Sequence, residues 1–178
     1  MTQIQLFKLE SRAPVLSEKE RFWMAAIAEV IVKHPELLKP EFRKQVENGA
    51  HPYTGHCYVA SAALFYFLSK DTKAYSPMVL NHEGVNHWVI VRNCDGCILD
   101  ITKDQFKTQP DYRAGIKKGF VPKRDLRRSI HEQLKFNFVA TESYQNSSCA
   151  TEYDSLDHRA AKLVELVELH IQIEDLPW

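Results

Sequence analysis

Apolar residues recur at helical spacing early in the chain and predict two helices before residue 50. Between Phe22 and Ile31 they lie three and four positions apart, and Ser17-Glu18-Lys19-Glu20 before them has the form of a capping box. His34-Pro35 ends this first helix, because a helix usually stops before proline. A second short helix is predicted over Pro40–Glu47, with proline in its first turn and Asn48-Gly49 as its stop.

The next segment is apolar on nearly every side. Residues 50–56 contain Pro52 and Gly55, which are typical of a loop, and they lead into the run from Cys57 to Leu68. A helix that lacks a polar face is a buried one. The pattern therefore predicts a central helix that begins at Cys57.

The spacing changes after residue 71, where short β-branched and aromatic segments predict strands. They cover residues 75–80, 85–91 and 97–101. Asn93-Cys94-Asp95-Gly96 is typical of a hairpin turn, and a two-residue Asp-Gly loop would put Cys94 and Cys97 at paired positions. We expect an antiparallel sheet packed against the Cys57 helix.

The remaining pattern predicts a basic amphipathic helix over 123–134, a strand over 134–140, a polar loop over 141–154 and a closing helix over 156–171. The expected fold class is α+β: N-terminal helices, a buried cysteine-bearing helix on a small antiparallel sheet, and C-terminal helices. We interpret residues 1–178 as a single domain, with residues 1–16 as an N-terminal lead and a catalytic core at about 50–106.

Composition narrows the function classes. The 178 residues contain 23 Lys+Arg and 23 Asp+Glu, and this zero net charge argues against a nucleic-acid binder despite a basic run between Lys117 and Arg128. The longest apolar stretch, residues 58–68, is too short to span a bilayer. With no secretory signal and only four cysteines, the chain is expected in the reducing cytoplasm, where a reactive thiol persists.

Three residues form a candidate catalytic set. A cysteine in the first turn of a helix lies at the positive end of the helix dipole, which stabilises its thiolate, so Cys57 is the candidate nucleophile. His87 opens a strand, from which its ring can point off the sheet toward the end of the buried helix. Asp100 lies on the next strand, where it can sit beside His87 on one face. Nucleophile, base and orienting carboxylate follow in that order along the chain.

His82 competes with His87 for the role of base. His87 is favoured because Trp88 follows it and because the strand fixes it opposite Asp100. His82 lies near a loop, in Asn81-His82-Glu83-Gly84, and is expected to line the cleft or contact the substrate.

An oxyanion hole is expected around the thiol. The backbone N–H of Cys57 supplies one donor, and the loop before it offers Tyr53, Thr54 and His56 for a second. Tyr53 is favoured, since its hydroxyl can reach over the thiol. His56 is expected to point away from Cys57 and form a wall of the cleft.

The three segments together carry a family resemblance. Gly55-x-Cys57 at a buried helix, His87-Trp88 on a strand and Leu99-Asp100-x-Thr102 on the next resemble the transglutaminase-like branch of the papain-like fold. That branch includes transglutaminases, transglutaminase-type proteases and peptide amidases, with arylamine acetyltransferases more distant. The likeness covers residues 53–106 and implies thiol chemistry on an amide, ester or thioester carbonyl.

We therefore expect a cysteine-dependent hydrolase or acyltransferase that needs no cofactor and acts on a peptide, a protein or a small acyl substrate. The alternative is a non-catalytic binding or inhibitor protein on the same scaffold, with residues 123–134 and the Tyr53 loop as its binding face. By itself, Cys57 on an apolar helix is also typical of a plain core residue.

Cys94 and Cys97 have the spacing of half a zinc knuckle, with Cys149 as a third candidate ligand. The same residues are explained by a hairpin, and no fourth ligand is evident. We expect free thiols and no metal there.

Overall fold

The structure is a computed structural model, which describes residues 14–68, 73–120 and 156–173. In these ranges the chain forms four α-helices: α1 (Glu18–Lys33), α2 (Pro40–Glu47), α3 (Cys57–Leu68) and α4 (Leu156–Ile173). They accompany four strands: β1 (Tyr75–His82), β2 (Val85–Arg92), β3 (Ile98–Leu99) and β4 (Ile116–Lys117). The strands form one antiparallel sheet in the order β3-β2-β1-β4. The mixed helix-and-sheet class expected from the sequence is confirmed.

The capping box at the start of α1 also anchors this helix to the sheet. Glu20 accepts the Ser17 amide at 2.7 Å, and the Glu20 amide donates to Ser17 Oγ at 3.2 Å. The Glu20 carboxylate, although buried, also accepts hydrogen bonds from Arg92 Nη1 on β2 at 2.6 Å and from the Tyr75 hydroxyl on β1 at 2.9 Å. These partners supply the polar contacts that a buried carboxylate requires.

The apolar helix α3 lies at the centre of the main core. Its inward side chains pack with those of α1, α4 and one face of the sheet, among them Ile27, Leu64, Ile90 and Leu163. The Ser61 hydroxyl, the polar group in the middle of this helix, donates to the backbone carbonyl of Trp88 at 2.8 Å. This hydrogen bond joins α3 to β2 directly.

Side chains alternate along β2 between two environments. Trp88 and Ile90 pack on the α3 side, whereas Val89 and Val91 belong to a smaller cluster on the other side, with Met78 and Leu80 of β1. His87 is paired with Leu80 in the β1–β2 register. Strand alternation therefore places His87 on the side of the smaller cluster.

Three details of the sheet differ from the predictions. The hairpin turn at 93–96 is present, but the two-residue Asp-Gly loop is wrong: the Arg92 amide donates to the Cys97 carbonyl, so the loop contains the four residues 93–96 and Cys94 does not pair with Cys97. The Asp95 carboxylate instead accepts the Arg92 guanidinium and the Cys97 amide, which favours the longer loop. The third strand is also shorter than predicted, and β4 was not predicted.

The predicted helix 123–134, strand 134–140 and loop 141–154 lie outside the described residues, as do most of the basic run and Cys149. Over the described ranges, no helix combines the length and apolarity needed to cross a membrane.

Candidate active site

Gly55 sets the position of Cys57 at the start of α3. Its φ of +82° is one that other residues rarely adopt, and a Cβ there would lie 2.4 Å from Phe42 Cγ on α2. The His56 carbonyl then accepts the first helical hydrogen bond, from Ala60, at 2.9 Å. As a result Cys57 occupies the first turn of α3, half-buried, with its thiol donating to the Asn86 carbonyl at 3.6 Å.

The contact with Asn86 explains how Cys57 reaches His87. Although strand alternation puts His87 on the sheet face turned away from α3, Cys57 is the end residue of the helix and lies against the beginning of β2. The Cys57 thiol is one of the groups that raise the pKa of the His87 imidazole. The imidazole itself is fully buried.

The opposite side of the His87 ring faces Asp100. His87 Nε2 lies 2.6 Å from Asp100 Oδ2, and both side chains are buried. The same oxygen accepts the Tyr112 hydroxyl at 2.9 Å, and Oδ1 accepts the Thr102 amide at 2.9 Å. Since three donors surround it, the carboxylate is held in one orientation toward the imidazole.

Electrostatics favour the protonated imidazole. Burial disfavours its charged form, but the hydrogen bonds with Asp100 and Cys57, together with the negative charges of those groups, outweigh burial and raise the pKa of His87 to about 9. The pair with Asp100 therefore favours the charged form of His87. Because Nε2 is engaged by Asp100, Nδ1 is the ring nitrogen left for another partner.

Gln105 joins the cysteine loop to the histidine. Its Oε1 accepts the Gly55 amide at 3.3 Å, and its Nε2 donates to the Thr102 carbonyl at 2.9 Å. The same Nε2 lies 3.5 Å from His87 Nδ1. A carboxamide thus stands beside the thiol–imidazole pair.

His82 is held away from this pair. Its Nε2 is 3.0 Å from the Thr108 carbonyl, and its ring contacts the Phe106 ring edge-on at 4.8 Å. Phe106 also contacts the His87 ring, at 4.7 Å. His87 therefore pairs with Asp100, whereas His82, the last residue of β1, contacts Phe106 and Thr108.

Tyr53 was expected at the oxyanion hole and His56 in the wall of the cleft, and the structure gives each of them other contacts. Tyr53 packs edge-on against His51 at 4.8 Å and against the main core. His56 is 1% exposed, and burial together with the positive charge of Arg159 on α4 lowers its pKa to about 4. A neutral imidazole shielded from solvent in this way is not an open wall of a cleft.

Trp88 and Thr102 hold in place the chain segments that carry His87 and Asp100. Trp88 stacks on Phe120 at 5.4 Å and contacts Tyr58 of α3 edge-on at 5.1 Å, so its ring anchors β2 to the helix. Thr102 is buried, and its backbone holds both the Asp100 carboxylate and the Gln105 amide.

Cys94 and Cys97 are free thiols in the structure, the first exposed and the second buried. Burial raises the pKa of the Cys97 thiol. Within the described ranges, no group of three or more His, Cys, Asp or Glu side chains is arranged to hold a metal ion.

Sequence reasoning missed Gln105 and Tyr112. Both lie in irregular chain after β3, on or at the single-turn helices 103–105 and 112–114, where no periodicity marks them. Their proximity to Asp100 along the chain was the available signal, because residues that follow a candidate orienting carboxylate can fold back onto it.

Comparison with known protein families, with curated proteins and with solved structures gave no match to this chain.

Proposed function

We propose that this protein is a cysteine-dependent hydrolase or acyltransferase acting on an amide, peptide or related acyl bond, with Cys57 as nucleophile, His87 as acid and base, and Asp100 as orienting carboxylate. The observation that carries the proposal is the buried 2.6 Å contact between His87 Nε2 and Asp100 Oδ2, on an imidazole whose pKa the Cys57 thiol also raises.

The resting protonation state suits thiol catalysis. The raised pKa of His87, about 9, favours a protonated imidazole, and the proposed reaction starts with that proton on the imidazole and with Cys57 Sγ as the attacking atom. Asp100 stabilises that imidazolium and fixes the tautomer that results when Nδ1 gives up its proton. Tyr112 and Thr102 hold the carboxylate for this task.

The reaction follows from these positions. Cys57 Sγ bonds to the carbonyl carbon, and the carbonyl π electrons move to the oxygen. As the tetrahedral intermediate collapses, the bond to the leaving nitrogen or oxygen breaks, and the His87 imidazolium supplies the proton that a leaving amine needs. Water or an amine then attacks the thioester carbonyl carbon and loses its proton to His87. The second tetrahedral intermediate collapses with cleavage of the S–C bond, which releases the acid or amide product and frees the sulfur of Cys57.

The arrangement also supports the finer fold assignment that we propose, to the transglutaminase-like branch of the papain-like fold. The order along the chain is the one expected of that branch: cysteine at the start of a buried helix, histidine on the second strand after it, and aspartate just after the third strand.

The geometry favours this enzyme over a binding or inhibitor protein. Removing a carboxylate and an imidazolium from water is costly unless both are paired, and a recognition surface gains nothing from a charged pair that solvent cannot reach. A catalytic role, in which Asp100 orients the His87 imidazole, explains why the chain keeps this buried pair.

Trapping the acyl-enzyme tests the proposal without knowledge of the natural substrate. p-Nitrophenyl acetate is mixed with the protein, release of p-nitrophenolate is followed, and the quenched protein is digested and examined by mass spectrometry. We expect an acetyl group on Cys57, none in Cys57→Ala, and slower acetylation in Asp100→Asn. An acetyl group spread over other side chains, with Cys57 unmodified, contradicts the proposal.

A further inference from the structure

Attack on a carbonyl develops negative charge on its oxygen, and enzymes meet that charge with two or more preorganised N–H or O–H donors. The Cys57 amide is one such donor, since amides in the first turn of a helix have no intrahelical acceptor. A second donor has to come from a group other than Tyr53, because the described contacts of Tyr53 are with His51 and the core.

The carboxamide of Gln105 has a fixed orientation. Its oxygen accepts the Gly55 amide at 3.3 Å, and its nitrogen donates to the Thr102 carbonyl at 2.9 Å. If the carboxamide were rotated by 180°, its NH2 group would face the Gly55 amide, another donor, and its oxygen would face the Thr102 carbonyl, another acceptor. Its NH2 group therefore points toward the Thr102 and His87 side of the loop.

One of the two Gln105 N–H groups is not used by Thr102. The only other contact of Nε2 among the described residues is His87 Nδ1, at 3.5 Å. A separation of 3.5 Å is long for a hydrogen bond, and a His87 ring that is protonated in its pair with Asp100 offers no acceptor at Nδ1. Among the described residues, this second N–H of Gln105 therefore has no well-placed acceptor.

We propose that Gln105 Nε2–H and the Cys57 N–H together form the oxyanion hole of this site, which makes Gln105 a catalytic residue of the acyl transfer proposed above, on which this inference rests. The Gly55 amide holds the Gln105 side chain from the cysteine loop, so both donors are positioned by the same chain segment. The N–H that bonds to Thr102 stays in place throughout the reaction.

Two reactions of the same thiol separate this role from others. Acetylation by p-nitrophenyl acetate forms the S–C bond through a tetrahedral oxyanion and expels p-nitrophenolate. Alkylation by iodoacetamide displaces iodide from an sp³ carbon and forms no oxyanion. An oxyanion donor therefore affects only the first reaction, whereas a residue that acts on the thiol or on His87 affects both.

The variants are Gln105→Met, which keeps the volume and removes the donor, and Gln105→Glu, which also keeps an acceptor for the Gly55 amide. We expect acetylation of Cys57 to fall about 100-fold in both variants, the usual effect of losing one such donor. Alkylation of Cys57 is expected to change less than about twofold in Gln105→Met, because that variant adds no charge beside His87. Circular dichroism and thermal melting establish that each variant is folded.

Three results overturn the assignment. Equal losses in both reactions would make Gln105 a residue that acts on the thiol–imidazole pair. A loss in Gln105→Met with normal acetylation in Gln105→Glu would assign its role to the Gly55 contact. Normal acetylation in both variants would remove any role. The wild type is measured first, and failure of Cys57 to acetylate there would overturn the proposed function itself.

Discussion

The Tyr112 hydroxyl and His87 Nε2 both bind Asp100 Oδ2, at 2.9 Å and 2.6 Å. The carboxylate oxygen that orients the imidazole is therefore itself held by a phenol from a different turn of the chain. Burial and the Asp100 charge raise the pKa of Tyr112, so the hydroxyl remains a donor throughout the accessible pH range. This relationship makes Tyr112 a positioning residue that acts through Asp100.

Tyr112→Phe tests that role. Loss of the hydrogen bond should lower the free energy of unfolding by about 1 kcal/mol and leave the Asp100 carboxylate less well oriented. Acetylation of Cys57 should then fall by about tenfold, since the imidazole is less well placed. Denaturant melts and the p-nitrophenolate assay measure the two effects.

Tyr75→Phe is the matched control, because the Tyr75 hydroxyl donates to the Glu20 carboxylate at the same 2.9 Å, away from the site. It should lower stability to a similar extent and leave acetylation unchanged. Equal acetylation losses in the two variants would show that stability alone explains the Tyr112 result.

The His87 imidazole should titrate far above the ordinary histidine value of 6.5. NMR of ring protons, with the His87 signal assigned by its absence in His87→Gln, should give a midpoint near 9 in the wild type. In Asp100→Asn the midpoint should fall, because the partner's charge is lost while burial remains. A wild-type midpoint near 6.5 would show that the ion pair does not form.

The same shift makes stability depend on pH. A folded-state pKa above the unfolded value means that the native protein binds more protons, so this contribution is fully present below pH 6.5 and is lost as pH rises toward 9. The loss should amount to about 3 kcal/mol at most. Urea melts at both ends of this window should show a smaller decrease in Asp100→Asn than in the wild type.

Gly55→Ala should disrupt the approach to Cys57. The substitution meets two obstacles, a positive φ and a Cβ 2.4 Å from Phe42 Cγ, and should lower the free energy of unfolding by at least about 2 kcal/mol. Gly49→Ala is the control, since Gly49 has a φ of +93° but no atom within 4 Å of the added Cβ. It should cost about 1 kcal/mol. Equal losses in chemical denaturation would show that the contact with Phe42 is relieved at little cost.

Much of the helical framework was readable from the sequence because its signals are local. The capping box at Ser17 and Glu20, the proline start of α2 and the apolar run from Cys57 each lie within a few residues of what they determine, and the structure confirms all three. The antiparallel pairing of β1 with β2 and of β2 with β3 followed from turn residues and period-two patterning.

What the sequence could not reveal depends on contacts between distant residues. The Gly55–Gln105 hydrogen bond joins positions 50 residues apart, and neither residue has a pattern that predicts the other. The Asp95 carboxylate takes up the Arg92 guanidinium and so favours a four-residue loop over the Asp-Gly turn that local preference indicated. Tyr53 was favoured by its position in the chain, but core packing determines where its ring lies.

Alkylation of the individual cysteines tests the central claim, the activation of Cys57 by His87, most directly. The protein is treated with iodoacetamide at about pH 6, where an ordinary thiol is almost fully protonated and unreactive, and each cysteine is quantified by peptide mapping. Cys94 is the internal standard, because it is exposed and lies outside the site. We expect Cys57 to react at least about tenfold faster than Cys94 in the wild type, and to lose this advantage in His87→Gln. Equal rates for Cys57 and Cys94 in the wild type, or a Cys57 rate that does not change in His87→Gln, would contradict the thiol–imidazole pair.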